Sequence, residues 1–217
     1  MNQISRNVSA ILLVLVLALP ALAIADGPDA RSSSGVNVRV FNYAGVSRAV
    51  LSKAQKEADR IFQRSGIETN WIECRSPKQG SLSDPRCTEK TKAQDIMMRI
   101  LPKDVVNSKR HSEFGVALLP LGGGFGKYAS VYYTRVEEYA ERWHASEGLL
   151  LGHLIAHEMG HLLLGAASHS RSGIMNVPWS RKKIERASLG TLLFTRLEAA
   201  RMQTQVTERI AFSWYSR

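Results

Sequence analysis

The sequence lacks internal repeats, nucleic-acid-binding motifs and any phosphate-binding loop. Its richest glycine run, Leu121 to Lys127 (LGGGFGK), has the wrong spacing for such a loop. A P-loop needs glycine five positions before the Gly-Lys, and Leu121 stands there. That run is read as a flexible turn. Long apolar stretches are also missing. The longest, Ile11 to Leu19, is interrupted by Pro20 and is short against the roughly 20 residues of a membrane span. Cysteine is scarce, with two residues in 217, and acidic residues are few, 19 against 29 Lys and Arg. The chain suits one domain, long enough to bury a core without needing a metal or disulfide to fold.

Arg6, the apolar run and the small-residue pattern Ala23-Ile24-Ala25 before Asp26 read as a secretory signal peptide over 1–25, with a retained anchor as the competing reading. Residues 26–35 form a polar leader too short for a sizeable propeptide, and 36–217 the folded domain. Without Arg6 the net charge stays near +9, concentrated late, with nine Lys or Arg and three Glu from Arg171 onward. Such an excess reads first as a solvated basic face, with an anionic surface, of the cell envelope for instance, as the alternative partner. With no accompanying motif it gives no case for nucleic acid. Cys74 and Cys87 bracket a loop rich in Pro, Gly and Ser, which in an exported chain reads as a disulfide staple.

Alternation predicts strands over 36–41, 67–72, 95–101, 115–119 and 128–135. Apolar residues at helical spacing predict helices over 48–64, with Ser47 as N-cap, then over 136–144, 147–164, 181–187 and 192–210. In the last helix Leu193, Leu197, Ala200 and Met202 are the inward candidates.

The chemistry sits on the helix over 147–164. His157 and His161 are four apart, so both rings project from one face, one turn apart. Two imidazoles so placed can hold one zinc ion, and Glu158 is set to reach a water on it rather than the ion itself. This chain's composition predicts only about 0.01 chance occurrences of such a pattern. A catalytic zinc usually takes a third protein ligand. His153 is excluded: it lies eight residues before His161, about 12 Å along a straight helix. His153 is therefore read as a packing residue, and His111 and His144 as surface or structural ones. Gly165 can end the helix in a left-handed turn, after which His169 can swing back to the metal.

The stretch HEMGHLLLGAASH, followed by SGIM, resembles the metzincin zinc endopeptidases, with their H-E-x-x-H-x-x-G-x-x-H motif and a later turn carrying methionine. His157, Glu158 and His161 map directly. Gly165 and His169 map with one extra residue before each, and Met175 stands at the position of the turn methionine. Ser170 is similar to the matrix-metalloproteinase subgroup, whereas the tyrosine that astacin-like members carry two residues after the methionine is replaced by Val177. Asp84-Pro85-Arg86-Cys87 is similar to the latency segment of matrix metalloproteinases, but Thr88 replaces its glycine and the segment lies within the domain. Bacterial secreted proteins of unassigned activity share a similar HExGHLLLG and GIM signature.

The resemblance implies an α+β, metzincin-like single domain: a twisted mixed sheet, a backing helix, a zinc helix, a Met-turn and a C-terminal helix. It implies Zn²⁺ held by His157, His161 and His169, Glu158 as general base, Met175 as a floor beneath the metal, and a protein or peptide substrate; the N-terminal pattern places the protein outside the cytoplasm, and a monomer is expected. The 128–135 strand is a candidate for pairing with that substrate, and equally for a plain core strand. Two other readings stay open: a non-catalytic, zinc-stabilised exported binding domain, and an amidase or peptidase directed at peptidoglycan.

Overall fold

The computed structural model describes residues 35–74, 84–102, 114–165 and 167–215. The segment expected to be a signal peptide, nearly all of the expected leader and His111 lie outside the described residues. Five strands, β1 (Gly35–Asn42), β2 (Glu68–Cys74), β3 (Asp95–Leu101), β4 (Gly115–Leu118) and β5 (Tyr128–Tyr132), form one sheet in the order β2-β1-β3-β5-β4. The first four strands in that order run parallel, and β4 lies antiparallel to β5 at the edge. Five helices accompany them: α1 (Arg48–Gln63), α2 (Tyr133–Trp143), α3 (Glu147–Leu164), α4 (Arg181–Ser188) and α5 (Arg196–Tyr215). Among the described residues no helix is long and apolar enough to cross a membrane.

Local chemistry explains where the elements begin. Ser47 caps α1 by accepting a hydrogen bond from the Val50 N–H, which satisfies one of the donors a helix start leaves orphaned. The alternation of β1 does not leave a wet face. Val36, Val38 and Val40 are buried, and so is Arg39 on the opposite face, where its Nη2 meets Asp95 Oδ2 at 2.7 Å. Asp95 also accepts from the Asn37 side chain at 2.9 Å and the Lys92 N–H at 2.8 Å. A buried carboxylate is tolerable only with its lone pairs satisfied in this way. Cys74 and Cys87 are bonded as expected, with Cα atoms 5.6 Å apart. The Asp84–Cys87 segment is thus part of a staple on β2.

Most element boundaries shift by a residue or more from the sequence reading, and two of the shifts have a clear physical cause. The strand expected over 128–135 ends at Tyr132, because Tyr133, Val136 and Ala140 form a buried helical stripe and Tyr133 donates to Glu147. Burial outweighs the β propensity of Tyr133-Thr134. It is also an interior strand, so β4 and not β5 borders the open side of the sheet. The last helix starts at Arg196 rather than Leu192. Thr195 and Glu198 form a reciprocal capping box, with Thr195 N–H donating to Glu198 Oε2 at 2.7 Å and Glu198 N–H to Thr195 Oγ1 at 3.3 Å. The inward face is therefore Glu198, Met202, Val206 and Arg209, while Leu197 and Ala200 are exposed. Arg209 is fully buried and donates to the carbonyls of Ala93, Gly126 and Leu162 at 3.1, 3.0 and 2.7 Å.

Candidate metal centre and cleft

Helix α3 is buried along nearly its whole length, capped by Ser146 and ended at Gly165, whose φ of 96° is open to glycine and strained for other residues. The Gly165 N–H still bonds His161 O at 2.9 Å, after which the chain reverses. That reversal returns Ser168 and His169 to the helix face that carries His157 and His161. One nitrogen from each of the three histidines lies within 4.8 Å of the others, a donor set able to hold a metal ion.

The rings are oriented by their other nitrogens. His157 Nδ1 lies 2.9 Å from Ile174 O. A carbonyl only accepts, so Nδ1 carries the proton and Nε2 presents its lone pair. His161 Nδ1 lies 2.7 Å from Ser168 Oγ. The two Nε2 atoms are 3.1 Å apart, close to the roughly 3.3–3.4 Å between two nitrogens of a tetrahedral zinc site with Zn–N near 2.0–2.1 Å. Burial, reinforced by the neighbouring His161, pushes His157 down to about 3. Burial with the nearby His169 pushes His161 down to about 4. Both are therefore neutral near pH 7, the protonation state a metal requires of its imidazole ligands.

The turn after His169 supports this arrangement from below. Ser170 N–H donates to Met175 O at 3.2 Å, Asn176 Nδ2 to Ser170 O at 2.6 Å, and Ile174 N–H to Leu193 O at 2.9 Å. Met175 is fully buried, and a Cβ at Gly160 would lie only 2.7 Å from its sulfur and 2.8 Å from Phe194. Gly160 is thus what lets the turn approach the helix. Trp179 packs edge-on against His157, ring centres 6.0 Å apart, and against His153 at 6.4 Å.

Above the histidines opens a cleft of about 480 Å³ whose walls include Glu158, the β4 residues Gly115 to Ala117, Leu154 and Trp179. Glu158 is 4 % exposed, and Gly115 approaches so closely that a Cβ there would lie 2.8 Å from its carboxyl carbon. His153 stays outside this group. It is fully buried, with Nδ1 2.9 Å from Leu149 O and Nε2 3.4 Å from Glu57 Oε1. His144 is exposed at the end of α2. The sequence reading missed Ser168, Gly160, Trp179 and β4 as parts of the site. Ser168, directly before His169, offered a weak signal. The Ile174 carbonyl offered none, since every residue has one.

No protein-family model and no curated protein matches the chain. Solved structures do. Archaemetzincin from Methanopyrus kandleri is 16% identical, with 82% of this chain and 99% of that one covered and a TM-score of 0.51. A zinc-dependent peptidase from Methanocorpusculum labreanum is 14% identical, with 76% and 99% covered and a TM-score of 0.51. The chain therefore has a metzincin-like fold, a mixed sheet with five helices in one domain, as expected from the sequence.

Proposed function

We propose that this protein is a zinc-dependent peptidase that hydrolyses peptide bonds of a protein or peptide substrate. The observation that carries the reading is the convergence of His157, His161 and His169 on one point, with a carboxylate, Glu158, in the same cleft. A structural zinc site closes its shell with four protein ligands, whereas three ligands facing a cleft leave a position for water. Zinc bound there would acidify that water and polarise the scissile carbonyl. Glu158 takes the water's proton and delivers it to the leaving nitrogen. Substrate lies extended along β4, the edge strand whose outer side is unpaired among the described residues, and bonds to its backbone. The Ile174 carbonyl holds the His157 ring in place, and Met175 is a buried apolar floor that does not ligate.

The two structural neighbours, an archaemetzincin and a zinc-dependent peptidase, support this reading, as do the resemblance around His157 and the neutral state of two of the imidazoles. Export is part of the proposal and is supported by the N-terminal pattern and by the Cys74–Cys87 bond, which persists in oxidising compartments. The late basic excess favours action against an anionic envelope surface. The test compares wild type with Glu158→Gln on denatured protein substrates, with zinc content measured in both. Turnover in wild type alone is expected. Equal activity with zinc retained in both sinks the proposal.

A further inference from the structure

We propose that the substrate channel continues past the metal centre into a second site, in which Arg201 binds an acidic side chain of the peptide four or five residues N-terminal to the scissile bond. This rests on the peptidase reading above. Strand β4 runs alongside α3 in the same sense. Gly115 lies against Glu158, and at the other end the side chains of Leu119 and Leu162 both approach Gly126, each within 2.9 Å of where its Cβ would be. Leu119 is a wall of the cleft and also of a second cavity of about 360 Å³. A chain following β4 away from Glu158 therefore reaches this cavity next.

The far wall is one face of α5, with Arg201, Thr204, Gln205 and Glu208 at helical spacing. Its charges are unequally engaged. Glu208 Oε2 accepts from Gln205 Nε2 at 2.6 Å. Arg201 donates through Nη2 to Leu164 O at a long 3.3 Å, so most of its five N–H donors remain for a ligand carboxylate, which a guanidinium grips in bidentate fashion. The distance sets the position. Leu119 directly follows the end of β4, so from Gly115 it is four extended steps, roughly 13–14 Å at about 3.4 Å each, and the cavity receives the fourth or fifth residue from the cut. Antiparallel pairing is the more stable, which places the N-terminal side of the substrate toward Leu119.

The test uses the full-length, zinc-loaded chain and two peptide series, with Glu, Ala or Lys at the fourth and fifth positions before the cleaved bond or at the fourth and fifth positions after it. Turnover is measured for wild type and Arg201→Glu. Binding is measured by fluorescence anisotropy in the Glu158→Gln background, with and without Arg201→Glu. Wild type should prefer Glu over Lys about fivefold, as an exposed ion pair allows, and Arg201→Glu should reverse the order in both assays. Unchanged Glu-to-Lys ratios in a folded, zinc-loaded Arg201→Glu variant overturn the proposal, as does a preference that follows Arg201 only from the C-terminal side. The anisotropy arm reads the second site without any turnover, so failure of the peptidase reading is seen separately as absence of cleavage throughout the series.

Discussion

Gly160 offers a sharp test of how the centre is built, because its replacement by alanine sets two effects against each other. A Cβ at this position would lie 2.7 Å from Met175 Sδ and 2.8 Å from Phe194 Cε1, where ordinary contacts between non-bonded heavy atoms are about 3.5–4.0 Å. Something must move by nearly 1 Å. Overpacking of this kind costs about 1–3 kcal/mol, and the better helix propensity of alanine returns about 1 kcal/mol. The net loss of stability is thus about 0–2 kcal/mol, or at most about 8 °C for a domain of this size. Metal affinity should suffer more. Met175 follows Ile174, whose carbonyl fixes the His157 ring at 2.9 Å, and disturbing such an outer partner typically costs 10–100-fold in affinity. The assay is zinc titration by competition with a chromogenic chelator, alongside thermal unfolding, for Gly160→Ala, Met175→Ala and the double variant. Met175→Ala alone should cost about 2–5 kcal/mol through its cavity. In the double variant the new methyl has room, so the two losses should fall short of their sum by more than about 0.5 kcal/mol. Additive losses with unchanged zinc affinity would show that Gly160 and Met175 do not support the metal site.

Other expectations follow from single features. His169→Ala should abolish tight zinc binding while His153→Ala retains it, measured as bound zinc per chain after gel filtration; the reverse would refute the assignment of the third ligand. Replacing Cys74 and Cys87 by serine removes a staple with a sequence separation of 13, which should cost about 3 kcal/mol and lower Tm by about 6–12 °C; an unchanged Tm would contradict this. The metal-free protein should lose stability as pH falls below about 6.5, the ordinary value for histidine. The folded chain holds His157 down at about 3 and His161 at about 4, so the unfolded chain binds more protons in that window and acid favours unfolding. Urea denaturation between pH 7 and 4 measures this, and a midpoint flat over the range would refute it.

Legibility differed from one part of the chain to another for physical reasons. Helix α3 could be read to the residue, since Ser146 and Gly165 cap an apolar run with no competing period. His169 could be anticipated because helix geometry excludes His153 and Gly165 permits a reversal. Tyr133 and Leu192 were misjudged because local propensity there is overridden by tertiary burial and by the Thr195–Glu198 capping box. The edge position of β4 and the proximity of Gly115 to Glu158 depend on strand order. Strand order is a long-range property that a run of four residues does not carry.

The buried guanidinium of Arg209 gives the molecule an order of assembly. It gathers carbonyls from Ala93, Gly126 and Leu162, three segments that emerge from the ribosome or a translocation channel well before it does. Until the last helix is made and docked, those carbonyls must find water instead, because a buried acceptor without a partner is costly. Leu162 lies one residue past His161, so the end of the histidine helix takes its final form only when α5 is docked against it. The end of the helix that carries the histidines is thus tied to α5, and the centre is held in its final form by a residue far from it in sequence.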